Sequence, residues 1–170
     1  MENLEWIKYV ESILENCDEE NPLHVFGYGN VLRRDDGVGL YIISNLLKTI
    51  KEKPKYIHIH PASTVIERKL NKIPKSSKIL VIDAVKVEGA PGAIIFTEFK
   101  KVESYILDTH NISLKFILEA KSQLENSYLL GIIPEDTSIG EELTPVVRQS
   151  ADEIVTHLRS ILTKFSKLKK

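Results

Sequence analysis

Apolar residues recur at Leu4, Ile7, Val10, Ile13 and Leu14, the spacing of one helix face, so the chain opens on an amphipathic helix that Asn21-Pro22 ends. A short apolar run from Leu23 to Phe26 predicts a strand over 23–28, and Leu40 to Leu47 places a helix over 37–50. After a turn at Lys53-Pro54-Lys55, a strand is expected over 55–60, stopped by Pro61. A helical stretch follows from Thr64 to about Ile73, closed by Pro74. The continuous run Ile79-Leu80-Val81-Ile82 reads as a central parallel strand covered on both faces. Beyond the turn Gly89-Ala90-Pro91-Gly92, Ala93 to Phe99 is expected to be an antiparallel strand, because its connection is short. Ile112 to Leu124 repeats apolar residues as a helix does, and Tyr128 to Ile133 is a further strand. An acidic loop, 134–143, leads to Thr144-Pro145, an N-cap and first helical position. Val147, Ala151, Ile154, Val155, Leu158, Ile161, Leu162 and Phe165 then form a long apolar stripe.

This alternation predicts an α/β fold, a three-layer αβα sandwich with a twisted, mostly parallel sheet and one antiparallel strand. The 170 residues suit one domain: an N-terminal helical extension (1–22), a core (23–163) and a basic tail (164–170) expected to fray. Hydrophobic residues make up 42% and charged residues 28%, and the net charge is −1, which gives no broad attraction to nucleic acid or membrane. Neither a membrane-length apolar stretch nor a secretory leader is visible, so a cytoplasmic location is the expectation. Cys17, the single cysteine, excludes an internal disulfide and reads as structural.

Between the first strand and its helix stands Gly27-Tyr28-Gly29-Asn30-Val31-Leu32-Arg33-Arg34-Asp35-Asp36-Gly37-Val38-Gly39. The first two glycines fit a dinucleotide-binding turn, but its third glycine is replaced by Leu32, and two aspartates stand where a pyrophosphate needs neutral N–H donors. A nucleotide is therefore disfavoured. The plainer reading, a turn with a capping Asp36, does not account for the Asp-Asp pair or the second Gly-x-Gly. Asp35 itself reads as a cap or a solvated residue.

In parallel sheets, ligand sites lie beyond the carboxyl ends of the strands. That rule selects the 27–39 loop, Asp83 at the end of the most apolar strand, and the loop after 128–133. Asp83 reads equally as a loop cap and as a ligand. His110, alone, reads first as a polar residue before a helix. Taken together, Asp36, Asp83 and His110 make an O,O,N donor set suited to zinc or nickel. His58-x-His60 places two imidazoles on one strand face, for which packing is favoured over metal binding. Arg33-Arg34 reads as a solvated pair, with a carboxylate partner as the second reading.

These motifs resemble those of the hydrogenase maturation proteases, which trim the C-terminus of the large subunit of nickel-iron hydrogenases. Gly27-Tyr28-Gly29-Asn30 with Asp35-Asp36-Gly37-Val38-Gly39 resembles the first family signature. Val81-Ile82-Asp83-Ala84 with Pro91-Gly92 resembles the second, and Thr109-His110-Asn111-Ile112-Ser113-Leu114 the third, closest to the formate-hydrogenlyase-type subgroup. The closing blocks are Gly131-Ile132-Ile133-Pro134 and Leu143-Thr144-Pro145-Val146-Val147, and the similarity runs from about His24 to Leu162. The resemblance implies an endopeptidase that removes a C-terminal extension from a nickel-loaded precursor. It implies Asp36, Asp83 and His110 as metal-binding residues, with Asp36 and Asp83 catalytic. Gly29, Asn30, Arg33, Thr64 and Thr109 are expected to contact substrate. The nickel is expected to arrive with the substrate, other divalent ions being possible substitutes. Two features depart from the family. Pro61-Ala62-Ser63-Thr64 replaces an Asp-Gly-Gly-Thr-like loop, and segment 1–22 is an addition. The altered loop leaves room for an alternative, a non-proteolytic nickel- or peptide-binding chaperone on the same scaffold, and for a small-molecule hydrolase.

Overall fold

The computed structural model describes residues 4–63, 66–104 and 109–168, with the side chains of 63, 103–104 and 109–112 outside the description. Five strands form one sheet: β1 (Leu23–Tyr28), β2 (Ile57–Ser63), β3 (Lys78–Ala84), β4 (Ile94–Glu98) and β5 (Ser127–Ile132). Their order is β2-β1-β3-β5-β4, and only the β4–β5 pairing is antiparallel. The run Ile79–Ile82 lies on the central strand, as its lack of polar alternation requires.

Side chains alternate across the sheet, and each face builds its own core. Leu23, Val25, Leu80, Ile82, Leu130 and Ile132 face α1 (Glu5–Glu15), α2 (Val38–Thr49) and α5 (Pro145–Leu168). Phe26, Ile79, Val81, Val85 and Leu129 face α3 (Ile66–Leu70), α4 (Thr109–Ala120) and a 3₁₀ segment, Phe99–Ser104. The N-terminal helix is part of the first core, with Trp6, Val10, Ile13 and Leu14 buried, and Trp6 meets His157 of α5 edge to face. Cys17 is buried, its thiol directed at the Ile13 carbonyl.

Several boundaries differ from the sequence reading, each for a physical reason. β2 does not stop at Pro61 but runs through it to Ser63. It is an edge strand, so one side of its backbone needs no ladder donor, and the missing N–H is tolerated there. The β1–β2 register shifts between Gly27 and Tyr28, beside this proline. The helix expected from Thr64 to Ile73 is reduced to Ile66–Leu70, and Thr64 lies outside the described residues. Phe99 leaves the expected strand to open the 3₁₀ segment, fully buried in the second core. α4 begins at Thr109 rather than Ile112, so His110 stands within its first turn. The basic tail does not fray at Lys164: α5 continues to Leu168, Phe165 is buried, and Lys164 pairs with Glu11 of α1 at 2.9 Å.

Candidate active site

The loop after β1 is shaped by contacts that exclude side chains. Gly39 opens α2 so close to the sheet that a Cβ would lie 2.1 Å from the Ile82 carbonyl and 2.4 Å from that of Tyr28. At Gly29 the backbone has φ +125°, open to glycine, and a Cβ there would meet the Asp36 carbonyl at 1.9 Å and Asp83 Oδ1 at 3.3 Å. One point beside Gly29 therefore lies within 3.3 Å of both the Asp36 main chain and the Asp83 carboxylate. Asn30 N–H donates to the Asp36 carbonyl at 3.1 Å and Asp36 N–H to that of Arg33 at 3.0 Å, closing the loop on itself.

Asp83 is 3% exposed at the carboxyl end of β3, where its Oδ1 accepts the Ala84 N–H at 2.8 Å. Its side chain projects to the face that carries α4, alternating with Val81 and Val85. α4 runs directly into the amino end of β5, through Leu124–Asn126, so it descends against the strand direction. Its first turn, with Thr109 and His110, thus stands at the carboxyl edge on the Asp83 face, although their side chains lie outside the description. Asp36 is half-buried in the 3₁₀ turn Arg34–Gly37. It does not cap α2: the N-cap position is Gly37, with no side-chain cap bond. The topology thus brings Asp36, Asp83 and the backbone of His110 to one sheet edge. Among the described residues no three or more His, Cys, Asp or Glu side chains form a metal-binding group.

The remaining expected residues divide. Gly29 stands between the Asp36 main chain and the Asp83 carboxylate. Asn30 turns its Oδ1 onto the Leu32 N–H at 3.0 Å, an Asx turn that shapes the loop. Arg33 Nε donates to the Thr137 carbonyl at 3.2 Å, and Arg34, with φ +43°, brings its Nε 3.2 Å from Asp136. Both arginines thus hold the acidic loop, in place of being simply solvated.

The sequence reading missed the role of Asp35. Expected to cap or be solvated, it is fully buried. Its carboxylate accepts the N–H groups of Glu135 at 2.9 Å, Asp136 at 3.0 Å and Thr144 at 2.7 Å, and the Thr144 hydroxyl at 2.9 and 3.1 Å. Such a carboxylate is tolerated in the interior because donors surround it. Thr144 serves α5 through its carbonyl, which accepts the Arg148 N–H, while its hydroxyl goes to Asp35. The only trace in the sequence was the doubled aspartate itself.

His58 and His60 share a face of β2, and His24 on β1 joins them. His24 Nδ1 lies 2.9 Å from His60 Nε2, with ring planes 2° apart and centroids 5.2 Å apart, values that only a nearly coplanar, edge-to-edge pair satisfies. That gap fits a shared proton and is too short for an ion between two nitrogens, each needing about 2 Å. His24 also stacks on His58, and His60 on Phe26, so packing is the role the rings show.

The hydrogenase maturation protease family pattern matches residues 41–161, well over half the chain. The chain belongs to the hydrogenase maturation protease family. A Methanocaldococcus jannaschii protein whose name places it in the same family is 29% identical over 161 residues, covering 88% of this chain and 91% of its own. Among solved structures, the maturating endopeptidase HybD of Escherichia coli superposes with a TM-score of 0.72 at 23% identity, covering 84% of this chain and 93% of its own. HycI of Thermococcus kodakarensis gives 0.73 at 21% identity, covering 91% and 99%. These two likenesses confirm the mixed five-stranded α/β fold. Membership of the family makes the chain an endopeptidase of hydrogenase maturation. No helix among the described residues is long and apolar enough to cross a membrane.

Proposed function

We propose that this endopeptidase removes the C-terminal extension of a nickel-iron hydrogenase large-subunit precursor after nickel insertion. The observation that supports this reading is the convergence of the Asp36 loop and the Asp83 carboxylate on the space beside Gly29, at the sheet edge where α4 brings His110. Two carboxylates and an imidazole suit a borderline divalent ion, and in this reading the ion is the precursor's own nickel, part of the substrate. Peptide hydrolysis also needs a group to take the proton of the attacking water. Asp36, half-buried and reachable by solvent, suits that role. Asp83, nearly enclosed with one oxygen engaged by Ala84, suits holding and orienting. Zinc or another divalent ion in the precursor would be held by the same donors.

The test is to incubate the protein with nickel-loaded and nickel-free precursor and to weigh the large subunit. Loss of one defined C-terminal peptide from the loaded form alone is the expected result. Binding without a mass change would replace this reading with the non-proteolytic chaperone.

A further inference from the structure

Three of the seven large hydrophobic side chains exposed among the described residues stand on two loops that are tied together beside the candidate site: Val31 (51% exposed), Leu32 (58%) and Ile139 (88%). The tie is backbone and carboxylate, not side-chain packing. Gly140 N–H donates to the Leu32 carbonyl at 3.0 Å, and Arg34 N–H to the Gly140 carbonyl at 2.8 Å, an isolated parallel bridge. Asp35 gathers the far end of the second loop, as described above. Gly140 admits this approach because a Cβ there would press on the Arg34 side chain at 3.0 Å. The exposed apolar groups are therefore carried on a braced mount, so little ordering entropy is lost when a partner covers them.

Val31 also abuts Gly37, the residue after Asp36, with its Cα 2.9 Å from where a Gly37 Cβ would lie. From Val31 a shallow cavity of about 360 Å³ runs between α2 and α5, past Leu40 and Tyr41. Its lining carries Lys48 and Arg148, with Arg34 already paired to Asp136, against one acid, Glu141. Apolar tips next to a cation-rich groove fit a partner that presents an apolar segment carrying a carboxylate.

We propose that these paired loops are the docking platform for the large-subunit precursor. Val31, Leu32 and Ile139 seat an apolar segment, and the groove beside them takes its acidic neighbour. This rests on the proposed processing reading, since it names the surface that presents the precursor to Asp36 and Asp83.

The experiment compares wild type, Leu32→Asp/Ile139→Asp, Lys48→Glu and Asp83→Asn with nickel-loaded precursor, measuring cleavage kinetics and, by titration, affinity for the loaded and the nickel-free forms. Leu32→Asp/Ile139→Asp is expected to raise KM about tenfold or more with an unchanged melting curve, because both side chains are solvent-exposed. Lys48→Glu is expected to raise KM less, with Lys48→Arg restoring it. Asp83→Asn is expected to lose cutting and to bind the nickel-loaded precursor more weakly, while binding the nickel-free precursor through the platform as wild type does. An unchanged KM in the double variant overturns the platform while leaving the processing site standing. Cleavage by Asp83→Asn overturns the site and not the platform.

Discussion

The doubled aspartate divides two tasks between adjacent residues. Asp36 stays half-buried in the turn beside Gly29, and Asp35 turns inward to satisfy three main-chain donors and one hydroxyl of the 135–144 segment. Removing that acceptor strands buried donors, each worth about 1–3 kcal/mol. Asp35→Ala is therefore expected to lower stability by about 3 kcal/mol or more, read as a drop in Tm of roughly 6–12 °C. Hydrogen exchange at the amides of 135, 136 and 144 should accelerate well beyond that of β3. Retained protection there would contradict the anchoring role. At Gly29, an alanine Cβ would collide with the Asp36 carbonyl at 1.9 Å, and the backbone there favours glycine. Gly29→Ala is expected to displace the loop and lose processing, and a variant with wild-type turnover would remove Gly29 from the candidate site. The placement of Asp36 and Asp83 at the carboxyl edge of the sheet was legible in the sequence because a glycine-rich turn and a strand end advertise themselves. Asp35 was not, because its partners lie about 100 positions away and are mostly main-chain groups, which no residue pattern encodes.

At the scale of elements, β1 and β2 carry a pH-dependent contribution to stability. Burial, followed by the charges of His58 and His60, lowers the His24 pKa to about 4, and burial, Lys69 and His58 lower that of His60 to about 4. His24 Nε2 has no partner among the described residues, which deepens the penalty for charging that ring. Both folded values lie below the unfolded value of about 6.5. The unfolded chain thus takes up protons first, and this contribution is complete above pH 6.5 and is lost as pH falls toward 4. After discounting for the partial exposure of His60, the two together are worth about 1–2 kcal/mol between pH 7 and 5. Thermal melts should show this slope in wild type and a shallower one in His24→Leu/His60→Leu; an equal slope would assign the effect elsewhere. The strand pattern announced β1 and β3 well, since uninterrupted apolar runs have few other uses. It misplaced the end of β2, because whether a proline stops a strand depends on which neighbour stands beside it. The start of α4 was misjudged by three residues, since Thr109, His110 and Asn111 carry no apolar periodicity.

Across the whole molecule, the N-terminal helix is a structural part of the larger core. Trp6, Val10, Ile13 and Leu14 are buried with the α5 stripe, so Leu14→Ala is expected to cost about 2–5 kcal/mol by chemical denaturation, with little change in KM. A neutral outcome would mean that α1 is a detachable addition. The layered architecture was readable from the alternation of strand and helix patterns. The pairing of the 30–34 and 136–140 loops was not, because its bridge is made at the carboxyl edge by backbone groups, with Arg33 and Arg34 reaching partners about 100 positions away. That edge also bears the central claim: Asp36, Asp83 and His110, separate in the chain, act together on one peptide bond. The most direct measurement is the intact mass of nickel-loaded large-subunit precursor after incubation with wild type, Asp36→Asn, Asp83→Asn and His110→Ala, each first shown to be folded by its melting curve. The account predicts a single defined loss of mass with wild type and none with any of the three. Full processing by even one of the variants would contradict it.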